Sequence, residues 1–212
     1  MEEASGHANR RPLKARGTAW ARLATRLLLR SRISADQISL LGILFSLVGA
    51  WAYVAAPGRP WLLLAAALCI QLRLLCNLFD GLVAVEGGRK SPYGPLFNEA
   101  PDRIEDSLFL IAAGYAVGLL WLGLLAALLA CLTAYLRALG GSFGFPQDFG
   151  GPMAKQHRMA ALTLGSIAAF AEALVRGSSH ALALALWLIV AGAALTAARR
   201  AWRIAGQLRA AG

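Results

Sequence analysis

Two sets of polar residues interrupt an otherwise apolar chain at helical spacing. Arg73, Asn77, Asp80 and Ala84 fall at i, i+4, i+7 and i+11, and Asn98, Asp102 and Asp106 at i, i+4 and i+8. Glu99 joins Asp102 and Asp106 in an overlapping stripe. The stretch 77–106 also carries Glu86 and Glu105, so it holds six of the chain's 11 acidic residues. Two antiparallel helices joined by a short polar loop can turn these stripes toward each other and gather carboxylate and amide oxygens. Such oxygens suit hard cations, Mg²⁺ or Mn²⁺. Those ions in turn hold diphosphates and stabilise the charge that develops in phosphoryl transfer.

The rest of the sequence is membrane material. It is 58% hydrophobic and 15% charged over 212 residues, with a mean hydropathy of +0.57. A soluble globular domain is not written this way. Carboxylates at the edge of a membrane core are costly unless they have a task. With roughly 20 apolar residues per crossing, the chain has room for six spanning helices. Ser34 or Asp36 caps the first, expected over about 36–56, and AAPGRP is a turn. The second is expected over about 61–85, and Gly87-Gly88 and Ser91-Pro92 break the chain after it. From Asn98 to Leu139 the only proline is Pro101, which a first turn tolerates. One helix of that length is about twice a bilayer core; two helices with a turn near Gly118–Gly123 fit better. The last two are expected over about 156–175 and 180–198.

Arginine and lysine set the orientation. They crowd the N-terminus, the acidic stretch, the loop near 140–155 and the C-terminus, whereas the other side has only Arg59 and Arg176. This predicts an integral protein of a bacterial inner membrane with both termini and the acidic site cytoplasmic. The net charge of +10 fits contact with anionic membrane lipids, not nucleic acid. The expected organisation is a basic tail and amphipathic juxtamembrane helix over 1–33, with Arg22, Arg26 and Arg30 on one face and Trp20, Leu23 and Leu27 on another. A six-helix all-α transmembrane domain follows over 34–200, then a basic tail over 201–212. Cys69, Cys76 and Cys131 read as small buried hydrophobes.

Asp80-Gly81, Ala84, Gly94, Asn98 and Asp102 are spaced as in Asp-x2-Asp-Gly-x2-Ala-Arg-x8–9-Gly-x3-Asp-x3-Asp. The chain therefore resembles the CDP-alcohol phosphatidyltransferases, over about residues 15–200. The segment 33–43 is also similar to that family's lead into its first helix. The resemblance implies six membrane helices, a homodimer, and transfer of a phosphatidyl group from a CDP-diacylglycerol-like lipid to an alcohol acceptor with release of CMP. It implies one or two Mg²⁺ or Mn²⁺ ions, with Asp80 and Asp102 as ligands, Asn77 and Asn98 at two further ligand positions, and Asp102 as general base. Gly81, Ala84 and Gly94 are the motif's small residues at the substrate.

Three positions depart from the pattern: Asn77 and Asn98 replace aspartates, and Val85 replaces the arginine. Three readings stay open. Asp106, Glu99 or Glu86 restores the charge; or a single metal binds; or Arg73 supplies a fixed positive charge where a cation would lie. Arg89 can cover the missing arginine. Lys155 and Arg158 are either phosphate ligands or ordinary cytoplasmic charges, and Glu86 and Glu105 read as rim charges. Glu172 reads as an interface residue. The alternative function is an altered or inactive relative that binds lipid or nucleotide.

Overall fold

The computed structural model describes Thr25, Leu28 and residues 33–86 and 94–211, with the side chains of 84–86 and 94–98 outside that description. The described residues form six helices and no strand: α1 (Ala35–Val54), α2 (Trp61–Glu86), α3 (Gly94–Ala116), α4 (Leu120–Ser142), α5 (Lys155–Arg176) and α6 (His180–Ala211). The expected amphipathic segment before α1, and Arg89, lie outside the described residues.

Five of these helices are long and apolar enough to cross a membrane. The sixth, α3, carries Glu99, Asp102, Arg103, Glu105 and Asp106 in its first half. The protein is an all-α polytopic membrane protein. Packing closes the helices into a ring: α1 against α2 and α3, α3 against α4, α4 against α6, α6 against α5, and α5 against α2. Tyr53, Phe109, Leu110, Leu122, Leu162 and Leu186 fill its centre.

Local sequence explains the helix ends. Ser34 accepts from Gln37 N, and the Gln37 side chain accepts from Ser34 N, a reciprocal cap for α1. The α3–α4 turn falls at residues 117–119, with Gly118 at φ +70. Beyond it a Cβ on Gly123 would lie 2.5 Å from the Leu110 carbonyl, so α3 and α4 meet backbone to backbone. The inner face of α1 is similarly small, with Gly42, Ser46 and Gly49 buried one above the other.

Two expectations are corrected. Pro101 is not in a first turn, because α3 begins at Gly94 and the proline lies inside the helix. The basic residues after 198 do not leave the helix: α6 runs to Ala211. At ~1.5 Å per residue its 32 residues span about 48 Å, well beyond a ~30 Å core. Trp51, Trp61, Trp121 and Trp187 are exposed near the helix ends remote from the acidic residues, where aromatic rings favour a membrane–water interface.

Candidate active site

Four helices build the polar site. On α2, Arg73, Asn77 and Asp80 share a face because they lie one and two turns apart. The first half of α3 brings Asp102, Glu105 and Asp106 opposite them. The start of α5 adds Lys155 and Arg158, and α1 adds Ser39. The small surface at Gly42 lets α1 approach: a Cβ there would already touch Cys76, Glu105 and Asn77.

Arg73 is the hub. It is fully buried, with Nε 2.5 Å from Glu105 Oε2, Nη2 3.1 Å from Asp102 Oδ1 and Nη1 2.9 Å from Asp106 Oδ1. The last is an ion pair without hydrogen-bond alignment. Lys155 Nζ lies 2.5 Å from Asp102 Oδ1, and Arg158 Nη2 3.3 Å from Asp106 Oδ2. Asn77 Nδ2 donates to the same Asp102 Oδ1 at 2.7 Å, and Ser39 Oγ donates to Asp80 Oδ2 at 2.9 Å. Buried charges persist only when paired, and here every buried carboxylate has a donor.

The expected stripes do face each other, through the Asn77–Asp102 bond. The Asn98 backbone lies on α3 and Gly81, Ala84 and Gly94 on their expected helices; the side chains of Asn98 and Glu86 are outside the described residues. Glu105 is corrected from rim charge to site residue, only 2% exposed and bonded to Arg73. Lys155 and Arg158 are buried in the cluster, not ordinary surface cations. Glu99 is exposed and pairs with Arg137 of α4 and Arg103. Glu172 lies at the opposite end, where it accepts from Ser178 Oγ and the backbone N–H groups of His180 and Ala181 and so caps α6.

Among the described side chains the carboxylates of Asp102, Glu105 and Asp106 are taken up by cations and do not form a metal centre. No three Asp, Glu, His or Cys side chains converge as a metal group among the described residues. Asp102 Oδ1 already takes three donors, Asp106 faces Arg73 and Arg158, and Glu105 is bound to Arg73. The expected extra ligand Asp106 is thus committed to two guanidinium groups.

Sequence reasoning passed over a second feature. The loop between α4 and α5 is stitched to α6. Arg200 donates to the Gly150 and Thr133 carbonyls, Met153 N donates to Thr196 Oγ1, and Arg203 Nη1 lies 2.6 Å from Asp148 Oδ2. Partial burial pushes the Asp148 carboxyl up, but the Gly150 N–H and Arg203 outweigh this and hold it below the ordinary range. Gly151 adopts φ +136 with Thr196 so close that a side chain has no room. A cavity of about 590 Å³ lies under this loop, lined by Arg137, Gln147, Asp148, Arg200, Arg203 and Gln207 among others. Its signal in the sequence was the basic spacing at 199, 200 and 203, which reads equally well as a charged tail.

The described architecture is thus an integral membrane protein: a ring of helices around an apolar core, with a buried charged cluster and an arginine-lined cavity at one end. No protein-family model matches the chain. It is 33% identical over 162 residues to archaetidylinositol phosphate synthase of Aeropyrum pernix, covering 76% of each chain. It is 27% identical over 186 residues to phosphatidylinositol phosphate synthase of Streptomyces avermitilis, covering 82% of this chain and 72% of that one. The fold is that of Mycobacterium tuberculosis phosphatidylinositol phosphate synthase. With CDP-DAG bound, that structure aligns with TM-score 0.69 at 20% identity over 85% of this chain and 91% of the other. Its complex with manganese and citrate aligns with TM-score 0.69 over 85% and 87%. The chain belongs to the CDP-alcohol phosphatidyltransferase family. It is an enzyme that moves a phosphatidyl group from CDP-diacylglycerol to an alcohol, in a family that uses divalent metal ions.

Proposed function

We propose that the alcohol acceptor is a phosphorylated polyol of the inositol phosphate type, and that the reaction occurs on the cytoplasmic side of a bacterial inner membrane. The observation that carries the acceptor is the basic cavity beside Arg137, Arg200 and Arg203. Guanidinium groups match phosphate geometry, and a phosphate in the cavity would share Arg137 with Glu99 and Arg203 with Asp148. The names of the two relatives point the same way. The side of the membrane follows from the crowding of arginine and lysine at the site end of the ring.

In this reading the acceptor hydroxyl oxygen attacks the phosphatidyl phosphorus of CDP-diacylglycerol. The bond from that phosphorus to the CMP oxygen breaks and CMP leaves with the electron pair. The hydroxyl proton goes to Asp102 through Oδ2, whose neighbour is Arg103 Nη2 at 3.5 Å; Oδ1 is saturated. Asp80, held by Ser39, flanks the reacting groups. The motif assigns Gly81, Ala84 and Gly94 to the nucleotide, and Glu99 borders the site. A homodimer, implied by the family resemblance, completes the reading.

The test is CMP release from CDP-diacylglycerol by the purified protein. Inositol phosphate should support it and unphosphorylated inositol should not. Arg203→Ala should raise the acceptor KM by about tenfold, the worth of one charge-assisted contact, with the donor KM unchanged. Equal rates with both polyols would overturn the acceptor assignment.

A further inference from the structure

Arg73 precedes Asn77 by one helical turn and reaches three carboxylates with one guanidinium. The motif loses two negative charges at Asn77 and Asn98, and the cluster contains three buried cations: Arg73, Lys155 and Arg158. Asp80, Asp102, Glu105 and Asp106 carry four formal negative charges, so contact with these cations leaves the cluster near neutrality. A divalent ion is drawn by concentrated, uncompensated negative charge and asks for several oxygens at once. Among the described residues Asp80 makes no ion pair and is held by Ser39, while Asp102 Oδ2 meets Arg103 Nη2 only at 3.5 Å, and these two carboxylates lie on different helices. An arginine cannot shed its charge to make way.

Resting on the transferase reading above, we propose that Arg73 and Lys155 take the place of a central divalent ion in this enzyme, and that Lys155 binds the substrate diphosphate directly. The two differ in access. The Arg73 side chain is 0% exposed, so it touches no substrate and acts as a positioning residue that holds Asp102, Glu105 and Asp106. The Lys155 side chain is 10% exposed, against Asp102 at 19%, and so stands at the mouth of the cluster. Its ammonium offers three donors on a flexible stem. One is engaged by Asp102, and the others are free to turn toward phosphate oxygens when a diphosphate arrives. A metal would bridge phosphate to carboxylate; in this site the ammonium bridges them.

The experiment has two independent readouts on the detergent-purified protein. Mn²⁺ binding is followed by the loss of the free-ion electron paramagnetic resonance signal, and CMP release is followed with EDTA and with added Mg²⁺ or Mn²⁺. The expected results are no stoichiometric Mn²⁺ uptake and CMP release that survives EDTA. Lys155→Ala should raise the KM for CDP-diacylglycerol more than it lowers kcat, and Lys155→Arg should restore much of the loss. The combined change Asn77→Asp, Asn98→Asp and Lys155→Met should create Mn²⁺ uptake, which proves the assay able to see a site. Stoichiometric Mn²⁺ binding by the native protein, or turnover abolished by EDTA and restored by Mn²⁺, overturns the proposal. Absence of CMP release under all conditions overturns the transferase reading instead, and Mn²⁺ uptake still decides whether cations fill the cluster.

Discussion

One arginine organises the site, and its worth is measurable. Arg73→Ala would leave Asp102, Glu105 and Asp106 facing one another with Lys155 and Arg158 as the remaining buried cations. Breaking one side of a buried ion pair costs about 3–5 kcal/mol, so the variant should lose a large part of its thermal stability in detergent. Arg73→Met should fare no better, because the three carboxylates stay. A Tm within a degree or two of the native value would contradict the role assigned to Arg73. At this scale the sequence was readable in its spacing but not in its partners. Asn77, Asp80 and Asp102 could be placed from helical period alone, since period fixes a face. Glu105 reads as a rim charge from sequence: period puts it on the face of Asp102 and Asp106, but its burial depends on how α3 packs against α1 and meets Arg73 of α2. Lys155 could be taken for a generic cytoplasmic cation because its distance to Asp102 depends on where the 143–154 loop returns.

Helix pairs meet through small residues, and bulk introduced there should be felt. Gly123→Val would drive a side chain into the Leu110 carbonyl and the Gly114 backbone. Overpacking of this kind costs about 1–3 kcal/mol, and here the obstacle is main chain that has little freedom to yield. The expected outcome is a lower Tm with the acceptor and donor KM values little changed. Ser34→Ala removes the reciprocal cap of α1 and should cost about 1 kcal/mol, read in the same melt. Element boundaries were well marked where a breaker stands in the chain: AAPGRP, Gly118 and Gly177 each fall where a helix stops. The α6 boundary was not marked. Its hydrophobic run ends near 198, but Arg199, Arg200, Arg203 and Arg209 are good helix formers and Arg200 and Arg203 are bound to the 143–154 loop. The helix therefore continues in water without a sequence signal to stop it.

As a whole the ring has two unlike ends. One gathers the acidic cluster, the basic cavity and the arginines of α6; the other carries exposed tryptophans with Arg59 and Arg176. The orientation proposed above predicts that, in a cysteine-free background, Ser178→Cys is labelled by an impermeant thiol reagent from outside the cell, and Gly144→Cys only after permeabilisation. The reverse pattern would put the site on the wrong side of the membrane for CDP-diacylglycerol made inside the cell.

The Arg73 bridge also bears on how the chain enters the bilayer. The helix α2 has an apolar window that can partition into lipid by itself, yet it carries a guanidinium. The helix α3 falls outside that class of apolar spans, and of its four acidic residues the buried pair Glu105 and Asp106 are groups that a bilayer interior rejects at roughly 2.5–3.5 kcal/mol each by insertion scales. Joined through Arg73, the two helices share one guanidinium among these carboxylates, and Arg158 of α5 completes the pairing of Asp106. Biogenesis should therefore treat α2 and α3 as one unit: truncated after α2, the nascent chain should hold its arginine poorly in the membrane, and emergence of α3 should lock both in place.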